Sequence, residues 1–332
     1  MEDFLYRWIS LIGFFVISFI AWITGTKTKI NLKTILGSIL LAWTIGGLTF
    51  WLPWTRNALQ WLNNILISIL QSSQKGTIFL FGPLAIGPGQ TLEDGTQSIG
   101  FILAMQVLPS VIFFSAVISL LYYFNIIQAC VNQFSKIFHK SMGLSGVESF
   151  SASTSIFFGI ESSLAISKYL NQMTRSELMT LITCMMATVA STVMAIYVIA
   201  LKDIFPQIAG HLISASLISI PCAILISKLS IPETITKKRE PINKFIEKSS
   251  LDDLSTLSQK KPSNIMVALM DGGAMGVKLA ISIATLLIIV LGLQEIINLA
   301  LKQIPIIFGH PISINRILSW VCFPFTILIG LR

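Results

Sequence analysis

Apolar stretches close to the length of a membrane crossing recur along this chain, at about residues 8–25, 34–53, 99–123, 177–200, 206–227 and 273–298. A helix needs about 20 apolar residues to cross the hydrocarbon core, and lipid offers no partner for a free backbone N–H or C=O. Segments of this length satisfy their own backbone as helices. Composition agrees: of 332 residues, 54% are hydrophobic and 11% charged, against about 25% charged in soluble domains. The sequence therefore predicts an all-α, polytopic membrane protein with about six transmembrane helices, interfacial helices and one re-entrant helical hairpin. The first window follows Glu2 and Asp3 without a basic leader, so it reads as a retained transmembrane helix rather than a signal peptide.

Two further segments have helical apolar spacing broken by polar residues, 57–71 and 125–140, and read as interfacial helices. The net charge of +8 sits in membrane-flanking loops, which argues for topology and against nucleic acid. Lys27, Lys29 and Lys33 follow the first window. Lys136 and Lys140 precede the proposed hairpin at 147–171, and Lys168 and Arg175 accompany its end. Lys228, Lys237, Lys238, Arg239, Lys244, Lys248, Lys260 and Lys261 fill the polar stretch 228–263. All fall on one side if the helices alternate and the hairpin re-enters, making that side cytoplasmic and placing the N-terminus outside. A full span at the hairpin would put 228–263 outside, against the charge rule. The segments expected are 1–73 (helices and an interfacial helix), 74–146 (a gate-like helix and an interfacial helix), 147–227 (hairpin and transport-core helices), 228–263 (cytoplasmic linker) and 264–332 (a last helix and the start of a second half). The linker reads as solvated, with a lipid-binding or regulatory patch as the alternative.

Chemistry concentrates in Ser149-Phe-Ser-Ala-Ser-Thr-Ser-Ile-Phe-Phe-Gly-Ile-Glu-Ser-Ser-Leu164, where Glu161 and a hydroxyl cluster interrupt the apolar pattern. A carboxylate at membrane depth costs ~2.5–3.5 kcal/mol on insertion scales, so it faces a cavity or a partner. Gly159 breaks the helical run, and irregular backbone at such depth lines a cavity or is buried in protein. The hydroxyl-rich run Ala187-Thr-Val-Ala-Ser-Thr-Val193 lies in a long apolar helix. It admits two readings, small-residue helix packing or oxygen ligands for a small cation or polar solute. Pro109 is expected to kink the third window, and Gln106 reads either as a pore-side group or as helix packing. Phe81-Gly-Pro-Leu-Ala-Ile-Gly-Pro-Gly89 reads as a surface turn; the Lys and strand-to-helix context of a phosphate loop are missing. The four cysteines (Cys130, Cys184, Cys222, Cys322) lie singly in apolar segments and read as small buried hydrophobes. The three histidines show no ligand spacing. No catalytic constellation can be assembled, so the sequence does not read as an enzyme.

The strings Phe81-Gly-Pro-Leu-Ala85, Gln106-Val-Leu-Pro-Ser-Val-Ile-Phe-Phe-Ser-Ala116, Leu120-Leu-Tyr-Tyr-Phe124, Met142-Gly-Leu-Ser-Gly-Val-Glu-Ser149, Met173-Thr-Arg-Ser-Glu-Leu178 and Met186-Ala-Thr-Val-Ala190 are individually weak. In this order and spacing they resemble the concentrative nucleoside transporter family over nearly the whole chain. The resemblance implies a homotrimer in the plasma (bacterial inner) membrane, in contact with lipid. It implies a nucleoside-like small solute imported in an elevator-like manner, no cofactor, and sodium or a proton as coupling ion. It also implies that a hairpin and an unwound later helix cup the solute. Carried over residue by residue, the substrate-binding positions are Gly159, Ile160, Glu161, Ser162 and Val193, and the cation-binding positions are Ser155, Phe158, Thr188 and Val189.

Two departures stand out. The family's hairpin tip reads Asn-x-x-x-Gly-Gln-Thr-Glu, whereas this one reads Ser155-Ile-Phe-Phe-Gly-Ile-Glu-Ser162, one residue shorter before Lys168. Ser155 takes the place of the cation-site Asn and Ile160 that of the base-reading Gln. Glu161 stands at the family's Thr, or at its Glu if the gap follows Gly159. A carboxylate there is expected to couple transport to protons or to bear on the solute. The second hairpin and last helices of the family would follow Arg332, so the sequence also admits a truncated, split or non-transporting scaffold or regulatory protein of the same fold.

Overall fold

Residues 2–26, 31–51, 53–92, 95–159, 162, 170, 173–201, 204–233, 263–302 and 313–330 are described by the computed structural model of the chain, and they are almost entirely helical. The helices are α1 (Glu2–Thr24), α2 (Leu32–Trp51), α3 (Pro53–Phe81), α4 (Leu103–Gln106), α5 (Leu108–Tyr123), α6 (Ile126–Met142), α7 (Gly146–Phe158), α8 (Arg175–Ala187), α9 (Ser191–Leu201), α10 (Ile208–Ser230), α11 (Ile265–Leu301) and α12 (Ile314–Ile329). A 3-10 turn spans Gly82–Ala85, and an isolated antiparallel bridge joins Thr91 to Gln97. The described residues form no longer strand, as the all-α expectation requires.

Among the described residues, four helical stretches are long and apolar enough to cross a membrane: Leu32–Thr49, Leu103–Tyr123, Ile208–Ser230 and Ile265–Leu301. Trp8–Thr24 and Ile314–Ile329 are shorter apolar helices. Two expected boundaries need correction. The segment read as interfacial over 57–71 is one helix, α3, from Pro53 to Phe81. The window at 177–200 is not one helix: α8 ends at Ala187 and α9 begins at Ser191. The interruption expected at Pro109 is present: within the stretch Leu103–Tyr123 the helix breaks at Val107, and Pro109 lies in the first turn of α5. There its missing N–H is one the helix would leave unpaired anyway.

The chain divides into two compact units. One comprises Met1–Gly25 with Ile281–Arg332, where α1 packs along α12 and Ser10 Oγ donates to the Ile329 carbonyl at 2.7 Å. The other, Thr26–Ala280, holds the rest. Its core is built around α10, which packs on α2, α3 and α8 and buries Ile220, Ala223 and Ile224 against Phe138, Met142, Ala152 and Cys184. Small residues set the closest approach. A Cβ at Gly272 would lie 2.4 Å from that of Ser119, and one at Gly276 would lie 2.6 Å from Ile112 Cα, so glycine lets the start of α11 lie directly on α5. Ser119 Oγ then reaches the Ala268 carbonyl at 2.8 Å.

Gln106 packs through its amide against backbone, the second of its two expected readings. Its amide nitrogen donates to the carbonyls of Ile86 at 2.8 Å, Gly100 at 2.7 Å and Leu84 at 3.3 Å, tying down the loop before α4. The cysteines are not uniformly buried either: Cys184 is, Cys222 is half-buried, and Cys130 and Cys322 are exposed.

Candidate functional site

The site begins with α7. Ser145 accepts from the Glu148 N–H at 3.2 Å, and the Glu148 carboxylate accepts from the Ser145 N–H at 3.0 Å, a reciprocal cap that starts the helix. From Glu148 to Ile156 every α7 residue is buried. Its hydroxyls are satisfied locally: Ser149, Ser153, Thr154 and Ser155 each donate to the carbonyl four residues back, and Ser151 to that of Glu148. The helix stops at Gly159, whose φ of 52° and ψ of −124° suit only a residue without a Cβ.

The chain then reverses. Ser162 Oγ lies 2.8 Å from Ser155 Oγ, whereas a continuing helix would separate residues seven apart by about 10.5 Å along its axis. The Ser155 proton goes to the Ser151 carbonyl at 2.9 Å, so Ser162 is the donor of the pair. Ser155 retains one lone pair. The expected hairpin turn is therefore in place, while its return arm, with Ile160 and Glu161, lies outside the described residues apart from Ser162 and Leu170.

Facing the turn is the interruption between α8 and α9. Thr188 is extended, at φ −116° and ψ 152°, and α9 starts from the Ala190 carbonyl, which accepts from the Met194 N–H at 2.8 Å. Thr188 Oγ1 donates to the Cys184 carbonyl at 2.9 Å. A helix end of this kind leaves its last carbonyls, and the next helix's first N–H groups, without intrahelical partners. The two breaks touch: a Cβ on Gly159 would lie 2.9 Å from Ala190 N. Ser155, Phe158, Gly159, Ser162, Thr188 and Val189 thus belong to two irregular points brought together inside one unit. The Phe158 ring packs edge-on against Tyr122, centroids 6.4 Å apart. Val189 leans on the cluster of Phe114, Met194 and Val198. Val193 is half-buried in the first turn of α9. Discontinuous helices in membranes use such freed carbonyls for cations and half-helix N-termini for polar solute groups.

A second cluster was missed at the sequence level. Lys228, counted there among loop charges, is only 6% exposed and forms an ion pair with Glu148, itself 2% exposed. Lys228 Nζ also donates to Ser176 Oγ at 2.8 Å and to Glu233 Oε2 at 3.2 Å. Ser176 passes its own proton to the Ile231 carbonyl at 2.7 Å, and Glu233 Oε1 accepts from Thr174 Oγ1 at 3.1 Å. Thr174 in turn caps α8 with Glu177. The available signals were the Ser-x-x-Glu capping pattern at 145–148 and a lysine ending an otherwise uncharged apolar window. Neither names the other as its partner.

A helix turned back at Gly159 against a broken helix, among helices apolar enough to span lipid, marks an integral membrane protein. Comparison with known sequences gives the class. Residues 12–84 match the model of the Na+ dependent nucleoside transporter N-terminus, 104–203 a nucleoside recognition (gate) model, and 211–332 the Na+ dependent nucleoside transporter C-terminus. An uncharacterised transporter of Haemophilus influenzae is 30% identical over 330 residues, covering 97% of this chain and 72% of that one. The putative nucleoside permease NupX of Escherichia coli is 33% identical over 279 residues, 83% of this chain and 62% of the relative. The solved structure of CNTnw in an inward-facing, substrate-bound state superposes with a TM-score of 0.82 at 28% identity, over 98% of this chain and 73% of that one. The chain belongs to the concentrative nucleoside transporter family, a family of transporters and not of enzymes.

Proposed function

We propose that this chain is a cation-coupled secondary transporter that imports a nucleoside or a related polar solute across the plasma (bacterial inner) membrane, with its N-terminus outside. The observation that carries the reading is the contact of the Gly159 turn with the α8–α9 break, where a Cβ would stand 2.9 Å from Ala190 N. Oxygen atoms at Ser155, Phe158, Thr188 and Val189 supply the hard, uncharged ligands a small cation prefers, and sodium is the coupling ion the family descriptions favour. Gly159, Ile160, Glu161, Ser162 and Val193 form the solute side. The family likeness supports assembly as a homotrimer.

The test is uptake of radiolabelled uridine and adenosine by proteoliposomes under an inward sodium or proton gradient. Gradient-driven accumulation supports the proposal; saturable binding without flux would favour the non-transporting scaffold. Glu161→Gln separates two roles for that carboxylate. Uptake that keeps its cation dependence in the variant would sink the coupling role.

A further inference from the structure

Lys228 carries three ammonium protons, and the structure gives each an acceptor: Glu148, Ser176 and Glu233. Each acceptor belongs to a different part of the fold. Glu148 lies in the first turn of α7, Ser176 in the first turn of α8, and Glu233 just beyond the end of α10, whose last turn bears Lys228 itself. The charges suit their positions, with a carboxylate at a helix N-terminus and an ammonium at a helix C-terminus. Around them the wiring is closed. Glu148 also takes the Ser145 N–H, Ser176 gives its proton to Ile231, and Glu233 takes that of Thr174.

Both helices held at this point run to the candidate site. On α7, Glu148, Ser155 and Gly159 share one face at spacings of seven and eleven, with about 10.5 Å of helix between Glu148 and Ser155. On α8, Ser176, Thr180 and Cys184 form a buried i, i+4 row that leads to Thr188, buried just past the helix end and about 18 Å from Ser176. Lys228 therefore holds the far ends of two stiff rods whose near ends meet at Gly159 and Ala190. Apolar groups could fill the same volume with equal stability. They would not index α7 and α8 to a common origin along their axes.

We infer that Lys228 is a positioning residue: through Glu148 and Ser176 it fixes the axial register of α7 against α8, and so the spacing of the hairpin turn from the broken helix. Glu233 closes the third donor and ties the first residues after α10 to the same point. The inference about register stands on the fold; its effect on a solute rests on the transport reading above.

The experiment uses the full chain with Cys130, Cys222 and Cys322 changed to serine, which leaves Cys184 as the only thiol. Cys184 is fully buried in the cluster with Ala152, Ile156 and Ile220. Maleimide labelling of Cys184, thermal melting and uridine KM are then compared for this parent, for Lys228→Met, for Glu148→Gln/Lys228→Met and for Ser176→Ala. Lys228→Met alone strands a buried carboxylate and should melt lower and label faster. The double variant discriminates. It should recover the parent's melting temperature, yet label Cys184 about tenfold faster through local opening and show a KM raised about tenfold with kcat changed less. Ser176→Ala keeps the ion pair and should melt near the parent while labelling faster, which provides the reading if the double variant does not fold. Parent-like labelling in the variants that retain the parent's melting temperature would overturn the inference, reducing the cluster to a structural ion pair. Should the parent accumulate neither uridine nor adenosine under a sodium or proton gradient while the labelling difference holds, the transport reading falls and the register role stands.

Discussion

Gly159 turns the chain where a side chain would meet the backbone of Ala190, 2.9 Å from Cβ to nitrogen. The hairpin tip and the helix break are therefore mutually dependent: each irregular backbone leaves room for the other. A regular helix through 188–190 would move that backbone, and a bulkier tip would be pushed away from it.

Gly159→Ala should accordingly be costly. The positive φ alone carries about 1–3 kcal/mol of strain for a residue with a Cβ, and the obstacle is backbone, which cannot rotate aside. Melting in detergent should fall by several degrees, and uptake should drop more than the loss of folded protein explains. Unchanged uptake at equal expression would show that the contact is not needed.

The Ser155–Ser162 pair separates structure from ligation. Removing the Ser162 hydroxyl loses one bond of about 1 kcal/mol, whereas removing that of Ser155 also loses its bond to the Ser151 carbonyl, so Ser155→Ala should lower stability more than Ser162→Ala. If Ser155 is the cation ligand, only its loss should raise the half-saturating cation concentration in uptake assays substantially. Equal shifts in both variants would remove Ser155 from the ligand set.

Gln106 holds the carbonyls of Leu84, Ile86 and Gly100 from one nitrogen. Gln106→Leu leaves them without this donor, at about 1–3 kcal/mol. The segment between Ala85 and Leu103 should become the first site of limited proteolysis, with solute KM unchanged. A raised KM would return Gln106 to the pore.

Glu148 and Glu233 share a lysine but not an environment, since their side chains are 3% and 25% exposed. Glu148→Gln removes the buried carboxylate and leaves Lys228 only the wetter Glu233 as a counter-charge, and should cost about 3–5 kcal/mol. Glu233→Gln lies at the wetter edge and should cost well under half as much. Comparable melting shifts would contradict that assignment of burial.

Much of the fold was legible because it is written in local periodicity and length. The window at 34–53 became α2, and 125–140 became α6, Ile126–Met142. Gly159 announced its turn, because glycine is a local signal. The α8–α9 break was not legible from the residues: 177–200 contains neither glycine nor proline, and its irregularity is set by a segment about thirty residues earlier in the chain. Only the resemblance to a family with an unwound helix suggested it. Lys228 failed for a related reason. At the edge of an apolar window it has the signature of a topology charge, and its partner Glu148 is 80 residues away. Burial decided between the two readings, and burial of a helix end is a tertiary fact.

The serines of α7 carry a last consequence. Because Ser149, Ser153, Thr154 and Ser155 each return their proton to their own helix, the cylinder presents its neighbours with slim, largely methylene-like walls rather than with donors seeking acceptors. A hydropathy scale scores this segment as wet, yet Ser149, Ser153 and Thr154 lie in a dry interior with their protons kept on their own helix, and only Ser155 reaches beyond it, to Ser162. Alanine at Ser149 or Ser153 should thus be nearly silent, and what the stretch supplies there is thinness rather than polarity.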